Sequence, residues 1–160
     1  MTFFGIDNQT VELEITGYEF PEISVAEFES DDNWLNISLN VKSNFGNWST
    51  VYPSLTTSDV EKLINWFDTL SKNVQSGRTC LSFIEPNLLF ELFNEFNSDK
   101  KMIRINFDLE FRPPYVTLID LDFDKEYFVD ICADNLELKK IAIELKKELD
   151  KYPDRKPLGV

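Results

Sequence analysis

The stretch from Met102 to Phe111 reads MIRINFDLEF, and its apolar and polar side chains alternate more regularly than any others in the chain. Such alternation predicts a β-strand with one face in the core and one in solvent. The apolar face would carry Ile103, Ile105, Phe107, Leu109 and Phe111. The polar face would carry Arg104, Asn106, Asp108 and Glu110. The stretch therefore predicts a central strand.

Similar but weaker alternation on both sides of this stretch predicts further strands at about residues 11–15, 34–41, 48–52, 79–84, 88–93 and 127–131. Residues 116–124 fit either a strand or an extended loop, and residues 19–32 fit a long acidic loop. Pro53 is expected to end the strand before it.

Two segments have the apolar spacing of amphipathic helices. The first would be capped by Ser58 with Glu61, or by Thr57, and its stripe comprises Val60, Leu63, Ile64, Phe67 and Leu70. The second would run over residues 135–150 with Asp134 and Glu137 as its cap, and its stripe comprises Leu138, Ile141, Ala142, Leu145 and Leu149.

Short connections between most strands exclude parallel crossovers, which need a dozen or more residues. We therefore expect a single α+β domain over residues 1–160, with a mainly antiparallel sheet of about six to eight strands in the order β-β-β-α-β-β-β-β-α. Both helices would cover one face of the sheet in a two-layer arrangement. A β-sandwich with the helices at its ends or edges is the alternative.

Catalytic chemistry has little support. The chain has no histidine, which removes the commonest acid–base catalyst and metal ligand, and five glycines supply no phosphate-binding loop. The interpretation is therefore a protein that is not an enzyme and has no cofactor. Asp120, Asp122 and Asp124 recur at period two, but Lys125 and Ile131 stand where a calcium loop needs glycine and glutamate. No metal site is assigned, although cation binding by these carboxylates stays open.

The charge is strongly negative and uneven. The net charge is −13, and Lys42 is the one basic residue before Lys62. This charge disfavours nucleic acid and anionic membranes as partners and favours a basic protein partner. The first residues lack the pattern of a signal peptide, and no apolar run approaches the ~18 residues of a membrane span. We therefore expect a cytoplasmic protein.

The candidate partner-binding residues follow from this charge and from the polar strand positions. They are the loop acids Glu27, Glu29, Asp31 and Asp32, the strand residues Trp34, Asn36 and Asn40, and the polar-face acids Asp108 and Glu110. Trp48 and Trp66 are weaker candidates for interface anchors, and core packing is the simpler explanation for each.

Several short motifs resemble one family. They are Asp32-Asn33-Trp34-Leu35-Asn36-Ile37, Gly46-Asn47-Trp48, the run from Leu55 to Glu61 followed by Trp66-Phe67, the run from Phe83 to Leu88, and the run from Leu109 to Pro114. In this order and spacing, over about residues 32–114, the chain resembles the WapI family of bacterial immunity proteins.

The resemblance implies a protein that sits in the cytoplasm and binds the toxic C-terminal domain of a polymorphic contact-dependent toxin, which is often a nuclease. The acidity of the chain suits a basic domain of this kind. The expected function is therefore neutralisation of the toxin by binding. The alternative is a small-molecule or regulatory ligand-binding domain without catalytic activity.

Overall fold

A computed structural model of the chain describes residues 1–22, 33–74, 79–95, 97–116 and 125–155. These residues form eight strands and two helices. The elements are β1 (Thr2–Phe4), β2 (Thr10–Tyr18), β3 (Trp34–Ser43), β4 (Gly46–Thr56), α1 (Thr57–Ser71), β5 (Cys80–Ser82), β6 (Leu88–Leu92), β7 (Lys100–Phe107), β8 (Tyr127–Asp134) and α2 (Asn135–Leu149).

The strands form two antiparallel sheets, one in the order β1-β2-β3-β4 and the other in the order β5-β6-β7-β8. The expected α+β class, antiparallel pairing and two helices are confirmed. The eight strands are divided between two sheets, and β1 adds one strand before those that the sequence predicted.

An isolated bridge between Gly5 and Ile131 links the sheets. A Cβ atom at Gly5 would lie 2.7 Å from Cγ1 of Val129, so glycine permits this close approach.

Strand β7 is central in its sheet, and Ile105 and Phe107 are buried as predicted. The prediction that this strand continues to Phe111 is wrong. It ends at Phe107, and a 3₁₀ turn follows at Leu109–Phe111. Leu109 has a φ of 47°, which breaks the alternation and leaves its side chain 48% exposed. Phe111 returns to the core from this turn.

Two predicted boundaries around β4 need correction. The strand continues past Pro53 to Thr56, because β4 is the edge strand of its sheet, which is where a strand tolerates proline. Helix α1 is capped by Thr56 rather than by Ser58 or Thr57. Thr56 Oγ1 accepts a hydrogen bond from Asp59 N, and the Asp59 carboxylate accepts one from Thr56 N. The predicted cap of α2 by Asp134 and Glu137 is confirmed.

One hydrophobic core receives the apolar faces of both sheets and the stripes of both helices. Phe3 of β1 lies with its ring centroid 5.9 Å from that of Phe67 in α1 and 6.0 Å from that of Phe90 in β6. Trp48 of β4 packs edge-on against Phe107 of β7, with 5.6 Å between centroids. These aromatic contacts join elements that are far apart in the sequence. None of the helices in the described ranges is long and apolar enough to cross a membrane.

Candidate partner-binding surfaces

The polar side of the first sheet is exposed along three strands. We call this surface the outer face, and it consists of the exposed side chains Glu12, Glu14, Thr16, Asn40, Lys42, Asn47, Ser49 and Val51 with the half-exposed Trp34, Asn36 and Ser38. It exists because β2, β3 and β4 alternate with period two, so that most of their apolar side chains enter the core and most of their polar side chains face solvent. The three strand candidates Trp34, Asn36 and Asn40 lie together on this face.

Hydrogen bonds fix part of the outer face. Asn40 Nδ2 donates to Glu12 Oε2 at 3.0 Å, and Ser49 Oγ donates to Asn40 Oδ1 at 3.2 Å, so one row of side chains crosses three strands. Asn36 Nδ2 donates to the carbonyl oxygen of Tyr18 at 3.1 Å. These side chains therefore present their polar groups in a set orientation, while Asn36 has one donor already engaged.

The outer face carries negative charge that its own sheet does not neutralise. Lys42 is the one basic residue on β1–β4, and no ion pair among the described residues involves a side chain of these strands. The ion pairs that are described lie on the helices, on β7 and β8, and in the turn after β7. Glu12 and Glu14 are therefore exposed acids without an ion pair, although Glu14 lies near enough to Lys151 to contribute to the raised pKa of that lysine.

Asp108 and Glu110 lie away from the outer face, in residues 108–112, which we call the 108–112 turn. The Asp108 carboxylate accepts a hydrogen bond from Leu109 N at 2.7 Å and forms an ion pair with Arg112. The Glu110 carboxylate accepts a hydrogen bond from Asn87 Nδ2 at 2.7 Å. Pairing in a single sheet would place these two acids on one face with Asn36 and Asn40. They share no face with them, since β7 belongs to the second sheet and ends at Phe107.

A second concentration of negative charge surrounds Tyr52 on β4. Its phenol pKa is raised, first by the Glu110 carboxylate, then by burial and by Glu85 and Glu19. A raised phenol pKa reports negative potential at the hydroxyl, because ionisation would add a further negative charge there. The 108–112 turn and β4 thus share an acidic border.

The acids Glu27, Glu29, Asp31 and Asp32 lie outside the described residues, as do Asp120, Asp122 and Asp124. The residues that flank the first group are held by the C-terminal segment after α2. Asn33 is buried and exchanges two hydrogen bonds with the backbone of Arg155, at 3.2 and 2.8 Å. The Arg155 guanidinium lies 3.5 Å from the ring centroid of Tyr18 and donates to the carbonyl oxygen of Phe20. The sequence did not predict these contacts of Arg155 with Asn33, Tyr18 and Phe20, because no local pattern links residues so far apart.

The two tryptophans considered as weaker anchors belong to the core. Trp48 is buried, and its Nε1 donates to the carbonyl oxygen of Phe111 at 3.1 Å. Trp66 is buried against Phe67. Within the described ranges no group of three or more His, Cys, Asp or Glu side chains could hold a metal ion.

Comparison with known families assigns the chain. The model of the immunity protein WapI-like family matches residues 2–153, which is nearly the whole sequence. The chain belongs to the WapI-like family of immunity proteins. A search of curated proteins found no match. Family membership gives this immunity protein a toxin as its general partner and indicates a non-catalytic role.

Three of the motifs that carry the family resemblance meet at the 108–112 turn of this immunity protein. Trp48 binds the carbonyl oxygen of Phe111, Asn87 binds the Glu110 carboxylate, and the carbonyl oxygen of Asn87 accepts a hydrogen bond from Asp108 N at 2.9 Å. These contacts bring short motifs from separate parts of the sequence together in space. Their common effect is to hold the turn in one conformation.

Proposed function

We propose that this immunity protein binds a basic, nuclease-type toxin domain in the cytoplasm and neutralises it without catalysis. The observation that carries the proposal is the outer face of the first sheet, with its solvent-facing Glu12 and Glu14 and with no described ion pair on β1–β4. A nuclease binds a polyanion and therefore presents a basic groove. An acidic surface can occupy or cover that groove.

The net charge of −13 produces a negative electrostatic field that extends from the protein into solvent. Complementary fields raise the rate of productive encounter, and dissolved salt screens them over roughly 10 Å at 0.1 M. Fast capture suits a protein that must intercept a toxin before the toxin reaches its substrate. The proposal therefore assigns the distributed acids mainly to association.

Pre-organisation of the outer face supports binding once the partners have met. The hydrogen bonds that join Glu12, Asn40 and Ser49 restrict side chains that would otherwise lose freedom on binding. Immobilising a flexible side chain costs about 0.5–1.5 kcal/mol, so a surface ordered in advance loses less free energy when the complex forms.

Reversing charge on the outer face tests the proposal. We expect the double variant Glu12→Lys, Glu14→Lys to associate about tenfold more slowly at low salt, with a weaker salt dependence and little change in dissociation rate. The measurement is surface plasmon resonance against the catalytically inactivated toxin domain encoded beside the gene. The matched control is Glu61→Lys, Glu144→Lys, which changes the net charge equally on α1 and α2.

Equal slowing by both double variants would show that only total charge matters and would remove the outer face from the proposal. Failure of the wild-type chain to bind the toxin domain would overturn the proposed function itself. The non-catalytic ligand-binding alternative would then lead.

A further inference from the structure

We propose that Leu109 is an apolar anchor, held out by the 108–112 turn, that enters a pocket on the toxin. This inference rests on the proposed function and names the contact that retains the partner. Leu109 is 48% exposed at the tip of a turn whose next apolar residue, Phe111, is fully buried. The turn therefore buries the Phe111 side chain in the core and leaves the Leu109 side chain exposed to solvent.

The backbone conformation of Leu109 is unfavourable for leucine. The non-glycine residues with positive φ within the described ranges are Asp7, Asn8, Asn73 and Leu109. Asp and Asn tolerate the left-handed region because their short polar side chains bond locally, whereas bulky side chains are strained there. Leu109 is thus the one member of this set whose identity opposes its conformation.

The fold does not use the Leu109 side chain to offset this strain. Among the described apolar residues, Leu109 belongs neither to the core nor to the partly buried set that packs against it. Asparagine or glycine would give the same turn with less strain. A strained residue that the core does not need is typical of a functional site.

The turn that presents Leu109 is fixed from several sides. Its start is bonded to Asn87 and its end to Trp48, while Thr50 Oγ1 donates to the carbonyl oxygen of Glu110 at 3.2 Å. A side chain on a backbone that is already held in place requires no further ordering of the turn when it binds. Such an anchor is most effective in a pocket that excludes water from it.

The surroundings of Leu109 indicate the chemistry of the pocket it would enter. A surface depression of about 420 Å³ is lined by residues of the turn and of β4, among them Leu109, Glu110 and Thr50. Glu110 and Glu85 also lie close enough to Tyr52 to raise its pKa. Arg112, the nearest cation of the turn, is paired with Asp108. The complementary site is therefore an apolar pocket bordered by lysine or arginine side chains.

Three variants test the anchor against the inactivated toxin domain encoded beside the gene. Leu109→Asn should raise the melting temperature by about 2–4 °C by relieving strain, and should speed dissociation about 10–100-fold. Leu109→Ala keeps the strain and removes most of the side chain, so it should speed dissociation without raising the melting temperature. The control, Leu136→Asn, alters a leucine that is 79% exposed on α2 and should leave dissociation unchanged.

Dissociation of Leu109→Asn and Leu109→Ala at the wild-type rate, from a toxin domain that the wild-type chain binds, would overturn the anchor and leave the proposed function in place. Absence of wild-type binding would overturn both. A stabilised Leu109→Asn variant that releases the toxin quickly would support the anchor, because a general loss of folding cannot produce that combination.

Discussion

Replacing Phe107 by alanine should lower the free energy of unfolding by about 3–5 kcal/mol, the range for deleting a buried aromatic side chain with its transfer and cavity terms. Phe107 is 3% exposed and packs against Trp48 of the other sheet. Its loss would remove a contact between the two sheets as well as apolar area within one. Urea denaturation followed by circular dichroism measures the change.

The matched control for this variant is Asn106→Ala, which alters the neighbouring residue on the opposite side of β7. Asn106 is partly exposed and donates one hydrogen bond to Glu91 at 2.7 Å, so its replacement should cost about 1 kcal/mol or less. Similar costs for Phe107→Ala and Asn106→Ala would contradict the assigned faces of the central strand.

Reversing the acids of residues 27–32 should slow toxin association more than an equal change of charge on the two helices. Two double variants test this, Glu27→Lys with Glu29→Lys and Asp31→Lys with Asp32→Lys. We expect each double variant to slow association about tenfold at low salt, and the combination of all four substitutions to slow it about 100-fold. The reason is that charge steering acts on the encounter and is screened by salt. Stopped-flow association over a series of salt concentrations measures the effect.

The same Glu61→Lys, Glu144→Lys variant serves as the control for each of these pairs, since it also changes the net charge by four units. Association that depends on the helical pair but not on residues 27–32 would assign the toxin contact to the helices and contradict the role of the loop acids. Dissociation rates should stay within a few-fold of the wild type in all these variants. An unchanged dissociation rate would distinguish these acids, which act on association, from Leu109, which we propose acts on dissociation.

Periodicity predicted most of the secondary structure because each strand and helix buries one face. The alternation at residues 102–107 and the stripe from Val60 to Leu70 are local signals, and burial in the structure follows them closely. The prediction failed at Leu109, where polar and apolar residues still alternate but the backbone leaves the strand. A left-handed leucine has no signature in the pattern, because the tertiary contacts of Phe111 and Asn87 impose it.

Long-range polar contacts were also beyond local patterns. Lys101 is fully buried, and its Nζ donates to the carbonyl oxygen of Ser98 at 2.8 Å and to the side-chain oxygens of Asn135 and Asn73. Burial lowers its pKa. These contacts join the end of α1, the β6–β7 connection and the start of α2. The sequence around Lys101 shows only a lysine beside a turn. Its burial and its three hydrogen-bond acceptors depend on tertiary contacts, so they could not be predicted from local patterns.

The candidate site was predictable in part for the same reason. Trp34, Asn36 and Asn40 were placed together correctly, because one strand fixes their common face. Asp108 and Glu110 would share that face only in a single sheet, and the division into two sheets depends on pairings among distant residues. Alternation alone does not specify which strands are neighbours.

Titration of toxin activity with the purified immunity protein is the most direct test of neutralisation by binding. We expect nuclease activity to fall linearly to zero at a fixed molar ratio. Separating the complex under denaturing conditions and refolding the toxin should return a protein of unchanged mass and full activity. Inactivation by far less than a stoichiometric amount, with a toxin whose mass or activity is permanently altered, would contradict the account and show that the chain is an enzyme.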